Sequence, residues 1–209
     1  MFQKESIDKK ARGWTAQKLR TAQLISAGVE KLLSRITSHS YSSDPTSPMG
    51  ASIPVWQTEN ADLSGAGTLE DDLGWVTAYL YWEGSEKDTT NSCLVITGRK
   101  NIIPSGRLWA FAQWSRVVRP GAVRVAVSGS SSTLNMTASK NKDGTVAVQM
   151  INSASSSTSV TVKGFSAGSA EAYVTGNSHN NISDTTASLS GEAATVNVSG
   201  HAMVTVVLS

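Results

Sequence analysis

The sequence predicts an α/β segment followed by an all-β domain, and three observations support that prediction. In the first half, a helical pattern and short apolar runs follow one another in the order helix, strand, loop, strand, which is typical of a parallel α/β sheet. From Val123 onward, apolar residues recur at every second position. All six tryptophans lie within residues 1–120. We therefore expect a disordered tail at 1–12, an α/β portion at 13–120 and a β-sandwich at 121–209.

The elements of the α/β portion follow from its apolar pattern. Leucine, isoleucine and valine residues recur at helical spacing over residues 15–34, which predicts a helix. Further apolar runs predict strands over 35–41, 53–58 and 76–82. A second helix is expected over 107–118, with Leu108 and Phe111 on its apolar face.

The strand at 53–58 ends abruptly in Glu59. A carboxylate at the carboxyl end of a buried parallel strand is where (β/α) barrels mount their chemistry. Glu59 is therefore the first candidate for a catalytic residue.

The second half predicts an antiparallel β-sandwich. Seven or eight short runs of alternating apolar residues follow one another at a spacing of about ten residues, which is typical of this architecture. Asp143-Gly144 lies between two of these runs and predicts a hairpin turn.

Charge and cysteine content exclude several classes of partner and site. The formal net charge is only +2, and no Lys/Arg cluster is interleaved with aromatic residues, so neither nucleic acid nor membrane is an expected partner. Cys93 is the sole cysteine, which excludes an internal disulfide and a cysteine-based metal site. The first ten residues are too charged for a signal peptide. Three sequons, which would carry glycans only in a secreted protein, begin at Asn135, Asn181 and Asn197.

Several stretches resemble one known family: Ser38-His39-Ser40-Tyr41, Val55-Trp56-Gln57-Thr58-Glu59, Tyr79-Leu80-Tyr81-Trp82-Glu83-Gly84, Leu108-Trp109-Ala110, Arg119-Pro120-Gly121 and Gly200-His201-Ala202-Met203-Val204-Thr205-Val206. Together they resemble glycoside hydrolase family 30, in particular its fungal endo-β-1,6-galactanases. The resemblance implies a partial (β/α)8 TIM-barrel remnant, made of the last three barrel strands and the last barrel helix. An antiparallel β-sandwich follows it.

The resemblance also implies a mechanism and a set of site residues. The family retains the anomeric configuration, which requires two carboxyl groups about 5–5.5 Å apart. Glu59 matches the nucleophile. The implied substrate contacts come from residues beside the nucleophile and at the ends of neighbouring strands: Trp82, His39, Tyr41, Trp56 and Asn60. The family uses no metal and no organic cofactor.

The implied function is hydrolysis of β-1,6-galactan by a secreted, monomeric enzyme whose partner is the polysaccharide. The family's acid/base glutamate precedes anything present here. Glu5 lies in the tail and Glu30 on the predicted helix, whereas Asp62 and two further aspartates at 71 and 72 follow Glu59 on its own loop. We therefore expect this chain to be a C-terminal part that is inactive alone.

Two alternatives remain open. The first is a carbohydrate-binding module, in which the sandwich alone binds polysaccharide. Against this, residues 121–209 contain no tryptophan, and only Phe165 and Tyr173 could stack on a sugar. The second is a fragment without function, in which an open strand edge predicts aggregation.

Overall fold

The computed structural model describes residues 13–60, 76–87, 93–98, 100–176 and 179–209. The chain forms two compact units, Met1–Asn101 and Ile102–Ser209. The expected tail at 1–12 lies outside the described residues. The expected domain boundary at residue 120 stays a prediction. The two compact units are defined by contacts within the folded chain, and such contacts do not test where one domain ends and the next begins. Within the described ranges, no helix is long and apolar enough to cross a membrane.

The first unit begins with a helix that is shorter than predicted. Helix α1 spans Trp14–Ser26, and a single 3₁₀ turn follows at Glu30–Leu32. The helix is confirmed, but its predicted extent of 15–34 is wrong at the C-terminal end. Gly28 has a φ of 68°, a left-handed conformation that glycine adopts without steric cost, and the helix ends just before it.

Three parallel strands follow in the first unit: β1 at Ile36–His39, β2 at Val55–Glu59 and β3 at Ala78–Tyr79. Their spatial order is β1-β2-β3, and both pairings are parallel. The predicted strands are confirmed, although β3 has two residues where the sequence predicted the longer run 76–82. Because the carboxyl ends of parallel strands meet at one edge of a sheet, the segments that leave β1, β2 and β3 are brought together.

The remaining strands of the first unit are β4 at Ser85–Glu86 and β5 at Val95–Ile96, which pair in parallel. The core of the unit is a cluster of buried apolar side chains from α1, β1, β2 and the connection before β2: Trp14, Ile36, Met49 and Val55. This core fixes the sheet from which Glu59 projects.

The second unit contains two short elements followed by the sandwich. They are β6 at Ile103–Pro104 and α2 at Gly106–Val117. The strands after them in the described residues are β7 Val123–Val125, β8 Leu134–Lys140, β9 Val146–Asn152, β10 Thr158–Lys163, β11 Ala170–Gly176, β12 His179–Thr185, β13 Ala187–Ser190, β14 Ala193–Val198 and β15 Ala202–Leu208.

These strands form two antiparallel sheets. The larger has the order β12-β11-β15-β9-β8-β7 and the smaller β10-β14-β13. The predicted all-β antiparallel architecture is confirmed. Nine strands are present in the described part, where the sequence predicted seven or eight. One source of the difference is β12, a polar edge strand whose sequence has almost no apolar alternation.

The core of the second unit lies between the two sheets and follows the period of two. Val204 and Val206 of β15 and Val198 of β14 are fully buried, and they belong to one apolar cluster that draws on both sheets. Alternate residues of these strands point inward because successive side chains of a strand face opposite sides of the sheet.

The predicted hairpin at Asp143-Gly144 is confirmed. The Asn141 N–H donates to the Thr145 carbonyl at 2.9 Å, and Gly144 has a φ of 93°. One Asp143 carboxylate oxygen accepts from the Thr145 hydroxyl and from its backbone N–H, and these bonds lower the pKa of Asp143. The aspartate and the glycine thus supply the local bonding and the backbone freedom that the turn needs.

Helix α2 is anchored to the larger sheet by a polar side chain that the sequence did not single out. Gln113 is 1% exposed. Its amide nitrogen donates to the Thr175 hydroxyl at 2.7 Å and to the Met203 carbonyl at 3.2 Å, and its amide oxygen accepts from the Thr205 hydroxyl at 2.6 Å. Helix α2 therefore contacts the larger sheet through more than the predicted apolar face around Leu108. The hydrogen bonds of the Gln113 amide also fix the position of the helix on the sheet.

Candidate active site

Glu59 is the last residue of β2, the middle strand of the parallel sheet. Its register partner on β1 is His39, just after an irregularity in the strand pairing. The side chain of Glu59 is 31% exposed and that of His39 is 23% exposed. A carboxylate placed in this way is fixed by the sheet and still accessible from solvent.

Two side chains flank the Glu59 carboxylate. The Tyr41 hydroxyl donates to Oε1 at 2.6 Å, and His39 Nε2 lies 3.8 Å from Oε2. The rings of His39 and Tyr41 meet edge to face, with centroids 5.8 Å apart and an interplanar angle of 82°. The structure thus brings together three of the predicted site residues, and each carboxylate oxygen faces a different group.

The Tyr41 hydroxyl is held in its protonated form. Burial of the phenol raises its pKa above the ordinary value of 10.0, and the hydrogen bond to Glu59, the Glu59 charge and the nearby Tyr81 raise it further. At neutral pH the phenol is therefore a hydrogen-bond donor to the Glu59 side chain.

This pKa gives a prediction for alkaline conditions. Because the folded-state pKa of Tyr41 lies above its unfolded value, the stabilisation is complete below about pH 10 and is lost as the pH rises toward the folded pKa. Above about pH 10, the free energy of unfolding of the wild-type protein should fall more steeply than that of Tyr41→Phe. Urea unfolding at a series of pH values measures both slopes, and equal slopes would contradict the prediction.

The buried side-chain amide of Gln57 is hydrogen-bonded to the backbone of Glu59. Gln57 is 0% exposed, and its amide nitrogen donates to the Glu59 carbonyl at 2.8 Å. Gln57 lies two positions before Glu59 on β2, on the other side of the irregularity in the pairing with β1. Sequence reasoning passed over Gln57. The signal was a glutamine at a strand position that should point into the core.

Trp82 and Asn60 meet through the backbone. The Trp82 N–H donates to the Asn60 carbonyl at 2.7 Å, the peptide bond after Trp82 is cis, and the Trp82 side chain is 51% exposed. An exposed indole beside the segment that leaves β2 suits the predicted stacking on a sugar face, which stays a prediction.

Trp56 occupies a different position from the other predicted residues. Strand alternation places it on the face of β2 opposite the adjacent Gln57. There the Arg35 guanidinium lies 3.9 Å from the centroid of its ring. The structure does not bring Trp56 to the Glu59 carboxylate, and its predicted substrate contact stays untested.

The contacts of the Glu59 carboxylate in the described residues are to Tyr41 and His39, and neither is a second carboxyl group. Glu30 accepts from the backbone N–H and the hydroxyl of Ser52. Asp62 and the aspartates at 71 and 72, which we expected on the loop after Glu59, lie outside the described residues. Across the described ranges, no group of three His, Cys, Asp or Glu side chains is arranged to hold a metal ion. One ionised carboxylate in this setting can serve as a nucleophile or bind a cationic group.

A comparison with protein-family models matches most of the second unit. Residues 121–206 match the family model described as the glycosyl hydrolase family 30 beta sandwich domain.

Solved structures extend the likeness to nearly the whole chain. The catalytic domain of a family 30 xylanase C from Talaromyces cellulolyticus is 36% identical over 98% of this chain and 51% of its own, with a TM-score of 0.88. A family 30 endoxylanase from Clostridium papyrosolvens shares the fold at 19% identity, over 92% and 54% of the two chains, with a TM-score of 0.74. An endo-β-1,6-glucanase does so at 18% identity, over 94% and 46%, with a TM-score of 0.65.

The chain spans about half the length of these structures. The family that its motifs resembled is thus the family that both comparisons find. Both comparisons support a C-terminal part of glycoside hydrolase family 30, in which residues 121–206 match the family's β-sandwich domain.

Proposed function

We propose that this chain supplies the nucleophile side of a retaining glycoside hydrolase active site, within a partial (β/α)8 barrel formed by the first unit. The supporting observation is the Glu59 carboxylate at the carboxyl end of a central parallel strand, bonded to Tyr41 at 2.6 Å. This is the edge of a parallel sheet at which barrel enzymes carry out their chemistry.

In the proposed reaction, the Glu59 carboxylate attacks the anomeric carbon of the sugar. The glycosidic C–O bond breaks while its oxygen takes a proton from a second carboxylic acid, and Glu59 is left as a glycosyl ester. Water then attacks the anomeric carbon, gives its proton to the second carboxylate and releases Glu59. Tyr41, by donating to Oε1 of Glu59, fixes the orientation of the attacking carboxylate.

The substrate we propose is β-1,6-linked galactan, because the motifs around Glu59 and Trp82 resemble endo-β-1,6-galactanases. The similar structures carry other specificities, namely xylan for the two xylanases and β-1,6-glucan for the glucanase. Protein isolated from its source should release sugar from β-1,6-galactan and not from xylan or β-1,6-glucan. Release from xylan alone would contradict the specificity and leave the hydrolase assignment intact.

The 209-residue chain by itself is expected to hydrolyse no β-1,6-galactan. The residues that contact the Glu59 carboxylate, Tyr41 and His39, include no second carboxylic acid, and the loss of a general acid typically lowers the rate by about 10²–10⁴-fold. The matched control is the same chain with Glu59→Gln, and reducing-sugar release from the two should be indistinguishable. Turnover by the unaltered chain above this control would refute the prediction.

The alternative function, a carbohydrate-binding sandwich, has little support from the aromatic side chains of residues 121–209. Phe165 packs against the core cluster. Tyr173 donates its hydroxyl to Glu171 at 2.7 Å, and the Arg116 guanidinium lies 4.6 Å from its ring centroid. Neither ring is presented as an open platform on both faces, so the nucleophile site carries the proposal.

We also propose secretion, with glycans on the sandwich. Asn135, Asn181 and Asn197 are all exposed. Expression through a eukaryotic secretory pathway should therefore add N-linked glycans, and enzymatic deglycosylation should lower the apparent mass. A chain that is exported without any such change in mass would contradict the glycosylation.

A further inference from the structure

Trp14 is buried beneath the candidate active site and makes an unusually well-connected set of contacts. It is the first residue of α1 and is 1% exposed. Its indole N–H lies 2.5 Å from the Gln57 amide oxygen and 3.0 Å from the Ser40 hydroxyl. One donor thus reaches both β2 and the segment that follows β1.

Both acceptors of the indole N–H lead directly to Glu59. The Gln57 amide nitrogen donates to the Glu59 carbonyl at 2.8 Å. The Ser40 backbone N–H donates to the same carbonyl at 3.3 Å. Two paths of hydrogen bonds, one through Gln57 and one through Ser40, therefore connect the Trp14 indole to the backbone carbonyl of Glu59.

The backbone of the α1 start holds the segment that carries Tyr41. The Trp14 N–H donates to the Ser43 carbonyl at 3.1 Å, and the Thr15 N–H donates to the Ser43 hydroxyl at 2.9 Å. The preceding glycine packs so closely that a Cβ there would overlap Ser42 and Ser43. Tyr41 thus lies in a segment that is held on both of its sides.

We propose that Trp14 is a positioning residue of this active site, which fixes the Tyr41 hydroxyl and the Glu59 carboxylate relative to each other through Ser40, Ser43 and Gln57. The role rests on the proposed function of Glu59 as nucleophile. Without the indole N–H, the buried amide oxygen of Gln57 loses its donor. Because an unsatisfied buried acceptor is costly, the amide is expected to rotate and to release the Glu59 carbonyl.

The test is a Trp14→Phe variant of the 209-residue chain, with Trp114→Phe as the matched control. Trp114 is a suitable control because its indole nitrogen is buried and has no hydrogen-bond partner among the described residues. The readout is the ionisation of Tyr41, followed by NMR of ¹³C-labelled tyrosine and assigned with Tyr41→Phe. The groups that influence this phenol are Glu59, Tyr81 and the adjoining His39.

We expect the Tyr41 phenol to begin to ionise at a lower pH in Trp14→Phe than in the unaltered chain, because burial then favours the protonated phenol with less help from the loosened Tyr41–Glu59 bond. Trp114→Phe should leave the Tyr41 titration unchanged. A purely structural role for Trp14 would lower thermal stability and leave the Tyr41 titration as it is, and that result would overturn the proposal.

A second variant keeps the test decisive if Trp14→Phe does not fold. Benzothienylalanine at position 14 preserves the ring shape and replaces only the N–H, and an unchanged Tyr41 titration in that protein would likewise overturn the proposal. The measurement needs no turnover. Failure of the protein isolated from its source to hydrolyse galactan would therefore count against the proposed function alone, and an unchanged titration against the positioning role alone.

Discussion

Replacement of Gln113 by leucine is expected to lower the free energy of unfolding of the second unit by about 2–3 kcal/mol. The substitution removes the acceptor of the buried Thr205 hydroxyl and the donor to Thr175 and Met203. Leucine fills a similar volume, so the loss reports unsatisfied polar groups and not a cavity. Urea unfolding followed by circular dichroism measures the change.

Gln149→Leu is the matched control for Gln113→Leu. Gln149 is 1% exposed and lies on β9 opposite Thr205 of β15. Its amide has no hydrogen-bond partner among the described residues. Replacing an unpartnered buried amide with an apolar side chain should be neutral or stabilising, within about 1 kcal/mol. Equal losses in the two variants would contradict the assignment of Gln113 as the anchor of α2.

The second large effect concerns Glu59. In protein prepared from its source as an active hydrolase, Glu59→Gln should reduce turnover by about 10⁴-fold or more, as removal of a covalent nucleophile does in other enzymes. The variant Glu59→Ala should regain activity with added azide and yield a glycosyl azide of inverted configuration, because azide then attacks from the vacated side.

Glu30→Gln provides the control for the loss of a carboxylate. Glu30 is bonded to Ser52, and it does not contact Glu59. Its substitution should leave the rate of galactan hydrolysis unchanged. A comparable loss of rate in Glu30→Gln and Glu59→Gln would contradict the role of Glu59.

Local sequence patterns predicted most of the fold because the buried faces are regular. The period of two from Val123 onward reflects inward-facing residues of β14 and β15, which are fully or almost fully buried. The sequence did not predict the polar strand β12 at His179–Thr185, because it lacks the alternation of apolar residues. As an edge strand, it is held by backbone pairing to β11 more than by an apolar face.

The end of α1 was mispredicted for a similar reason. Apolar spacing continues past Gly28, yet the left-handed backbone at that glycine ends the helix, and the 3₁₀ turn that follows leaves Leu32 74% exposed. The spacing of apolar residues does not show where a single residue, here Gly28, takes a left-handed conformation that ends a helix.

The sequence pointed to the central carboxylate of the candidate site, but not to the buried residues that hold it in place. Glu59 stands out at a strand end, and the motif at His39 and Tyr41 marks the neighbouring strand. The sequence did not predict the bond between the Tyr41 hydroxyl and the Glu59 carboxylate. The predicted contact of Tyr41 with substrate hydroxyls stays a prediction. Long-range bonds such as Trp14 to Gln57, 43 residues apart, have no local pattern from which to infer them.

The central claim is that Glu59 forms a covalent bond to the sugar. Protein from the source would be incubated with a galactobiosyl fluoride fluorinated beside the anomeric carbon, whose fluoride leaves without help from an acid. Trypsin should then release the peptide 36–87, and we predict that its mass includes one glycosyl group, which fragmentation places on Glu59. A label on any other carboxylate, or inactivation with an unmodified Glu59, would contradict the claim.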